Sequence, residues 1–277
     1  MVKTYILLAF VCMGIVATRC NSSNDSNKKY QNLKFESVND SLYQSDENYK
    51  QGLATWKQYY EHCMNQPLFA DAFYLQLQDK INIGSINNAH ATDITKGLKI
   101  LDTAKNKNLF HLLAIMNSAN CSDTLPLSNH LRKDFYTEIT KLLSVSTEYK
   151  NLPANFDSTQ MSIRVGTLYY DALRPDTLIS TLNRTTDSSL LRYKELLLRP
   201  ENALLAQTVY MIGFSAELPL KIKPGIEQEA ALKKGVSFSL NTSNDKINMV
   251  LLSNNHVRLQ VNKRYTVLGK FLKLKVN

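Results

Sequence analysis

The last forty residues alternate between apolar and polar side chains, and this two-residue period constrains the fold more than any other feature of the chain. Val236, Phe238 and Leu240 form one alternating run, and Ile247, Met249 and Leu251 a second. Val257, Leu259 and Val261 form a third, and Leu272, Leu274 and Val276 a fourth. Between them stand "NTSND", "SNNH" and "NKR", which are turn compositions. An antiparallel β-meander is the simple reading.

The alternation also sorts charge. The net charge is +9 at pH 7, and most of it lies at the C-terminal end. From Lys221 to Asn277 there are eleven lysines and arginines against Glu227, Glu229 and Asp245, a surplus of eight. If Val257, Leu259 and Val261 face the core, Arg258 faces out. By the same rule Lys273 and Lys275 face out between Leu272, Leu274 and Val276. Arg258, Lys273 and Lys275 are therefore candidate contacts for an anionic ligand: a polymer, a lipid headgroup layer or an acidic protein partner. The competing explanation is that lysines on a sheet keep it from pairing with other sheets. Nucleic acid is not expected as a partner, because this face lacks the aromatic platforms on which bases stack.

The N-terminus reads as an export signal over 1–20. Lys3 precedes a continuous apolar run from Tyr5 to Val16. That run is too short to cross a hydrocarbon core of roughly 30 Å, which takes about 20 helical residues. Cys20 follows directly. One reading makes Cys20 a lipidation site, since the arrangement resembles a bacterial lipoprotein precursor, in which an acylated cysteine becomes the new N-terminus and anchors the chain to the membrane. Arg19 departs from that pattern, which wants a small residue before the cysteine. The other readings are simple secretion after Ala17 and retention of the apolar run. All place the body outside the cytoplasm, in the cell envelope or secreted. Residues 21–46, rich in Asn, Ser and Asp, read as a disordered polar tether. If Cys20 is acylated, Cys63 and Cys121 remain as an even pair, either a disulfide or two buried thiols.

Residues 47–150 read as a helical bundle. Leu53, Trp56, Tyr60 and Cys63 fall on one stripe. Pro67 suits the first turn of a second helix ending near Gly84, with Leu68, Ala72 and Leu75 inside. Thr92 looks like the cap of a third, with Ile94, Leu98 and Leu101 inside. "LFHLLAIM" (109–116) is apolar nearly all round and reads as a buried central helix. Ser128 caps the next, with Leu131, Phe135, Ile139 and Leu142 inside.

Residues 151–277 read as a mixed region followed by the sheet. "SIRVGTLYY" alternates as a strand through Ile163, Val165, Thr167 and Tyr169. Pro175 opens a helix, and "SSLLRYKELLL" is a helix stopped by Pro200. "ALLAQTVYMIGF" is a buried helix or a buried strand, which periodicity does not separate. "IEQEAALKK", before Gly235, reads as a short helix. The fold class expected is α+β: an N-terminal helical bundle, a mixed region and a C-terminal antiparallel meander.

No residue is singled out as catalytic. There is no G-x-S-x-G, phosphate loop, H-E-x-x-H or C-x-x-C. Neighbouring helical residues point about 100° apart, so His62 does not orient Cys63 as a nucleophile. The five histidines are widely separated, so no metal or cofactor is expected. The function expected is non-enzymatic: a cell-envelope or secreted protein, lipid-tethered at Cys20, acting in binding or structural contact. The alternative is a secreted hydrolase whose carboxylates, such as Asp171, Asp176 and Glu195, converge only in the fold.

Overall fold

The computed structural model describes residues 33–38, 46–88, 113–120, 124–145, 149–221, 237–241, 246–252 and 255–276. The export signal, Cys20, Cys121, the helix expected after Thr92 and the short helix before Gly235 lie outside them.

The elements run β1 (Leu33–Ser37), α1 (Glu47–Met64), β2 (Phe73–Asp79), β3 (Ile86–Asn88) and β4 (Leu113–Asn120), then α2 (Asn129–Ser144) and β5 (Ser162–Ala172). There follow α3 (Pro175–Arg184), α4 (Ser188–Leu197), β6 (Asn202–Pro219), β7 (Ser237–Asn241), β8 (Lys246–Leu251) and β9 (His256–Val276). The fold is mixed α+β, dominated by one antiparallel sheet in the order β4-β5-β6-β9-β8-β7. β6 and β9 form its spine, paired from Leu204↔Leu272 to Pro219↔His256. The other edge of β9 is shared end to end by β8, β2 and β1. The other edge of β6 is shared by β5 and β3.

The N-terminal helical bundle is not what forms. Its first and last helices are present. Asp46 caps α1 by accepting from the Asn48 amide at 2.9 Å, and Asn65 ends it in the left-handed region at φ 49°. Ser128 caps α2, its hydroxyl accepting from the Leu131 amide at 3.3 Å, and Leu131, Phe135, Ile139 and Leu142 are buried as the helical period requires. Between them lie strands. The segment after Pro67 becomes β2, and "LFHLLAIM" overlaps β4, not a central helix. Both stretches are apolar enough to be buried either way. The free edges of β9 and β5 supply the backbone partners that decide for strand.

Two other expectations change, and one open alternative resolves. Residues 33–37, inside the segment read as tether, form β1 on the end of β9. Leu33 and Phe35 enter the core while Lys34 and Glu36 face out, a short alternation that the surrounding Asn and Ser obscure. The "NKR" stretch is not a turn, and β9 runs straight through it as a single strand. The reason is Lys263, which points inward and is 13% exposed at its side chain. It pairs with Asp79 at 2.7 Å and Glu138 at 3.2 Å. "ALLAQTVYMIGF" resolves as the buried strand β6.

The main core lies between one face of the sheet and helices α1 and α2. A chain of rings crosses it: Trp56 to Phe135 at 6.5 Å, Phe135 to Phe214 at 5.0 Å, and Phe214 to Tyr265 at 5.9 Å. All four are nearly or fully buried, each burial worth about 1.5–3 kcal/mol. Glu138 on α2 is the buried polar link to the sheet, accepting from the Tyr265 hydroxyl at 2.9 Å and from Lys263. Burial opposes the Lys263 charge, but the Asp79 and Glu138 carboxylates outweigh it and raise its pKa. A second cluster lies under α3 and α4 at the other end of β6 and β9, around Tyr193, Leu204 and Leu272.

Candidate functional site: a polar groove on the open face

The strands that present Ile163, Val165, Phe214, Ala216, Leu259, Val261 and Met249 to the helices present their alternate residues to the opposite face. Those alternates are polar. Arg164 pairs in register with Ser215, Ser215 with Gln260, and Gln260 with Asn248. This is one row across four neighbouring strands. At roughly 4.8 Å per strand it spans on the order of 14 Å.

Next to the row the sheet is kinked. Gly166 on β5 and Gly213 on β6 permit a close approach of backbones. A Cβ at Gly166 would lie 2.1 Å from the Ile212 carbonyl oxygen. Gly213 has φ +73°, and a Cβ there would lie 2.6 Å from the Val261 carbonyl oxygen. The β6–β9 register shifts between Ile212 and Phe214, as a bulge does. The inward stripe of β5 accordingly jumps from Val165 to Leu168, instead of continuing through Thr167 and Tyr169 as simple alternation predicts. The kink and the polar row together form a groove of about 380 Å³ whose polar lining is Arg164, Ser215, Asn248, Gln260 and Asn262.

Arg164 is exposed, and among the described residues no carboxylate pairs with it. The adjacent pair on the same face is self-contained: Arg258 holds Glu217 through Nη2 at 2.6 Å and Nε at 2.8 Å. Beyond the kink the face is covered. Tyr169 stacks on Tyr210 at 5.2 Å, and the Lys80 ammonium sits 4.0 Å from the Tyr210 ring centre and 3.7 Å from Asp171. Burial pushes the Tyr210 hydroxyl up to about 12, raises the Asp171 carboxyl and lowers Lys80.

The residues singled out from sequence do not converge. Arg258 lies near one end of β9 and Lys273 and Lys275 near the other, on the order of 50 Å apart along the strand. Arg258 is held by Glu217, and Lys275 is ion-paired with Glu36, which also binds Lys34 at 2.9 Å. Lys275 and then Lys34 hold the Glu36 carboxyl down to about 2. Cys63 is disulfide-bonded. Asp171 is bound to Lys80, Asp176 lies in the first turn of α3, and Glu195 is exposed on α4. Among the described residues the groove lining contains no carboxylate, cysteine or histidine. Among the described residues no three His, Cys, Asp or Glu side chains cluster as a metal site, and no helix is long and apolar enough to cross a membrane. The missed signal was a glycine inside each of two strands, "RVGT" and "MIGF", the mark of a bulge or close backbone approach.

A second polar cluster is a seam rather than a site. The Tyr74 hydroxyl donates to Asp134 at 2.5 Å, and His130 lies 3.6 Å from the same oxygen. Burial raises the pKa of both Tyr74 and Asp134, and together they join β2 to α2.

No family model and no curated protein matches the chain. Among solved structures it is similar to a bacterial gasdermin from Bradyrhizobium tropiciagri, at 10% identity over 71% of this chain and 79% of that one. The TM-score is 0.31, a likeness too slight to carry an argument about function.

Proposed function

We propose that this is a non-catalytic binding protein of the cell envelope or exterior, tethered by a lipid at Cys20, which holds an extended polar ligand in the groove on the open face of its sheet. The groove is the observation that carries the reading. It offers an exposed arginine and a row of amides and a hydroxyl, and its described lining residues supply neither an acid–base pair nor a nucleophile activated by a base. The disulfide at Cys63 supports an oxidising compartment, and its partner in this reading is Cys121, which directly follows β4. Because β1 begins at Leu33, the tether is residues 21–32 and reaches at most about 45 Å from the anchor.

The test incubates the purified full-length chain with a panel of envelope polysaccharides and glycans. Saturable retention without chain shortening of the ligand supports binding. Release of cleavage products overturns it. The anchor is tested separately by mass spectrometry. Diacylglyceryl mass on an N-terminal Cys20 is expected, and an intact peptide beginning at Thr18 overturns it. A non-reduced peptide map should join Cys63 to Cys121.

A further inference from the structure

Resting on the binding reading above, we infer that the groove selects a carboxylate-bearing saccharide, with Arg164 holding the carboxylate and Ser215, Gln260 and Asn262 holding hydroxyls. The charge pattern is the first argument. Among the described residues the groove lining has one cation, Arg164, and the neighbouring Arg258 is already committed to Glu217. A densely charged polyanion is matched by a succession of Lys and Arg along its backbone, whereas this groove fits a ligand with one negative group among neutral ones. The guanidinium fork fits a planar carboxylate through two parallel hydrogen bonds.

The neutral lining is the second argument. Ser, Asn and Gln each donate and accept, as sugar hydroxyls do, so neither direction of each hydroxyl's bonding is excluded. The in-register row places such groups at intervals of about 4.8 Å across the strands, a repeating set suited to an extended oligomer. A peptide is a poorer match. Peptides that bind sheets pair with an exposed edge. Here the backbones under the row are already paired on both sides within the sheet, and Ile212 is the one large apolar lining residue not buried in the core.

The experiment measures binding of the full-length protein to glucuronate- and sialate-terminated oligosaccharides and to the same compounds with the carboxyl reduced to an alcohol. The acids should bind at least about 10-fold more tightly, the loss expected for one charge-assisted contact. Arg164→Gln should abolish that preference with an unchanged melting temperature. Arg258→Gln, on the same face outside the groove, should keep it. Gln260→Ala should weaken acid and alcohol by the same factor. Equal binding of acid and alcohol by the wild type, or a preference that survives Arg164→Gln, overturns the carboxylate inference while leaving the binding reading in place. Cleavage of the compounds, or no binding of either form, overturns both.

Discussion

On β5, β6, β8 and β9 the two faces of one stretch of sheet obey opposite rules. One face is an aromatic and aliphatic layer closed by α1 and α2, in which Trp56, Phe135, Phe214 and Tyr265 touch in succession. The other, one residue out of phase, is a row of Arg164, Ser215, Gln260 and Asn248 open to solvent. The inner face is where stability resides, since each buried ring removes apolar surface from water. The outer face contributes little to stability and is free to specify contacts. A polar row whose arginine has no carboxylate partner among the described residues is where binding is to be sought; Arg258 and Lys275 already have partners in the fold.

The sharpest break of this contrast is Phe135→Ala, which empties the middle of the ring chain. It should destabilise by about 3–5 kcal/mol in urea unfolding, and a loss under 1 kcal/mol would mean that the inner face is not the stabilising one. Cys63→Ser comes next. Loss of the disulfide should lower stability by about 2–4 kcal/mol, read as a matching fall in the wild type on adding reductant. Gly213→Val acts on the kink that both faces share. A β-branched residue at φ +73° with its Cβ against the Val261 carbonyl should cost about 1–3 kcal/mol and flatten the groove, so ligand retention falls with stability. On the outer face alone, Arg164→Gln should change stability by less than about 0.5 kcal/mol. A larger loss would show that Arg164 has a structural duty.

The smallest effect is local and pH-dependent. Glu36 is depressed from 4.5 to about 2 by Lys275 and Lys34. A carboxylate with a lowered native pKa adds stability above its unfolded value, and that contribution is lost as pH falls toward the native one. The protection of β1 amides relative to their intrinsic exchange rates should therefore fall between about pH 4.5 and 2 in the wild type and lose that dependence in Glu36→Gln.

Much of the architecture was legible in local pattern. The cap at Ser128, the helix start at Pro175, the helix before Pro200 and the alternation around Val257–Val261 all form as their local sequence requires, because propensity and burial agree there. The failures share a cause. "FYLQLQD" after Pro67 and "LFHLLAIM" carry no period strong enough to choose a state, and a free strand edge chose for them. "NKR" looked like a turn because a lysine usually seeks solvent, and nothing nearby in sequence announced that Glu138 would meet it. The groove was half visible: the polar alternates were plain, but which of the arginines would be held by a carboxylate was not.

By itself, then, the sequence determined the two-sidedness of the C-terminal sheet, the positions of all four described helices and the basic excess at its end, since these follow from side-chain period and composition within a few turns of chain. Only the tertiary structure decided that β9 runs unbroken beside β6, that Arg258 and Lys275 are spoken for while Arg164 meets no carboxylate among the described residues, and that two glycines bend the sheet into a groove. Pairing between strands and between charges joins residues tens of positions apart, and a one-dimensional pattern holds no record of which distant partner arrives.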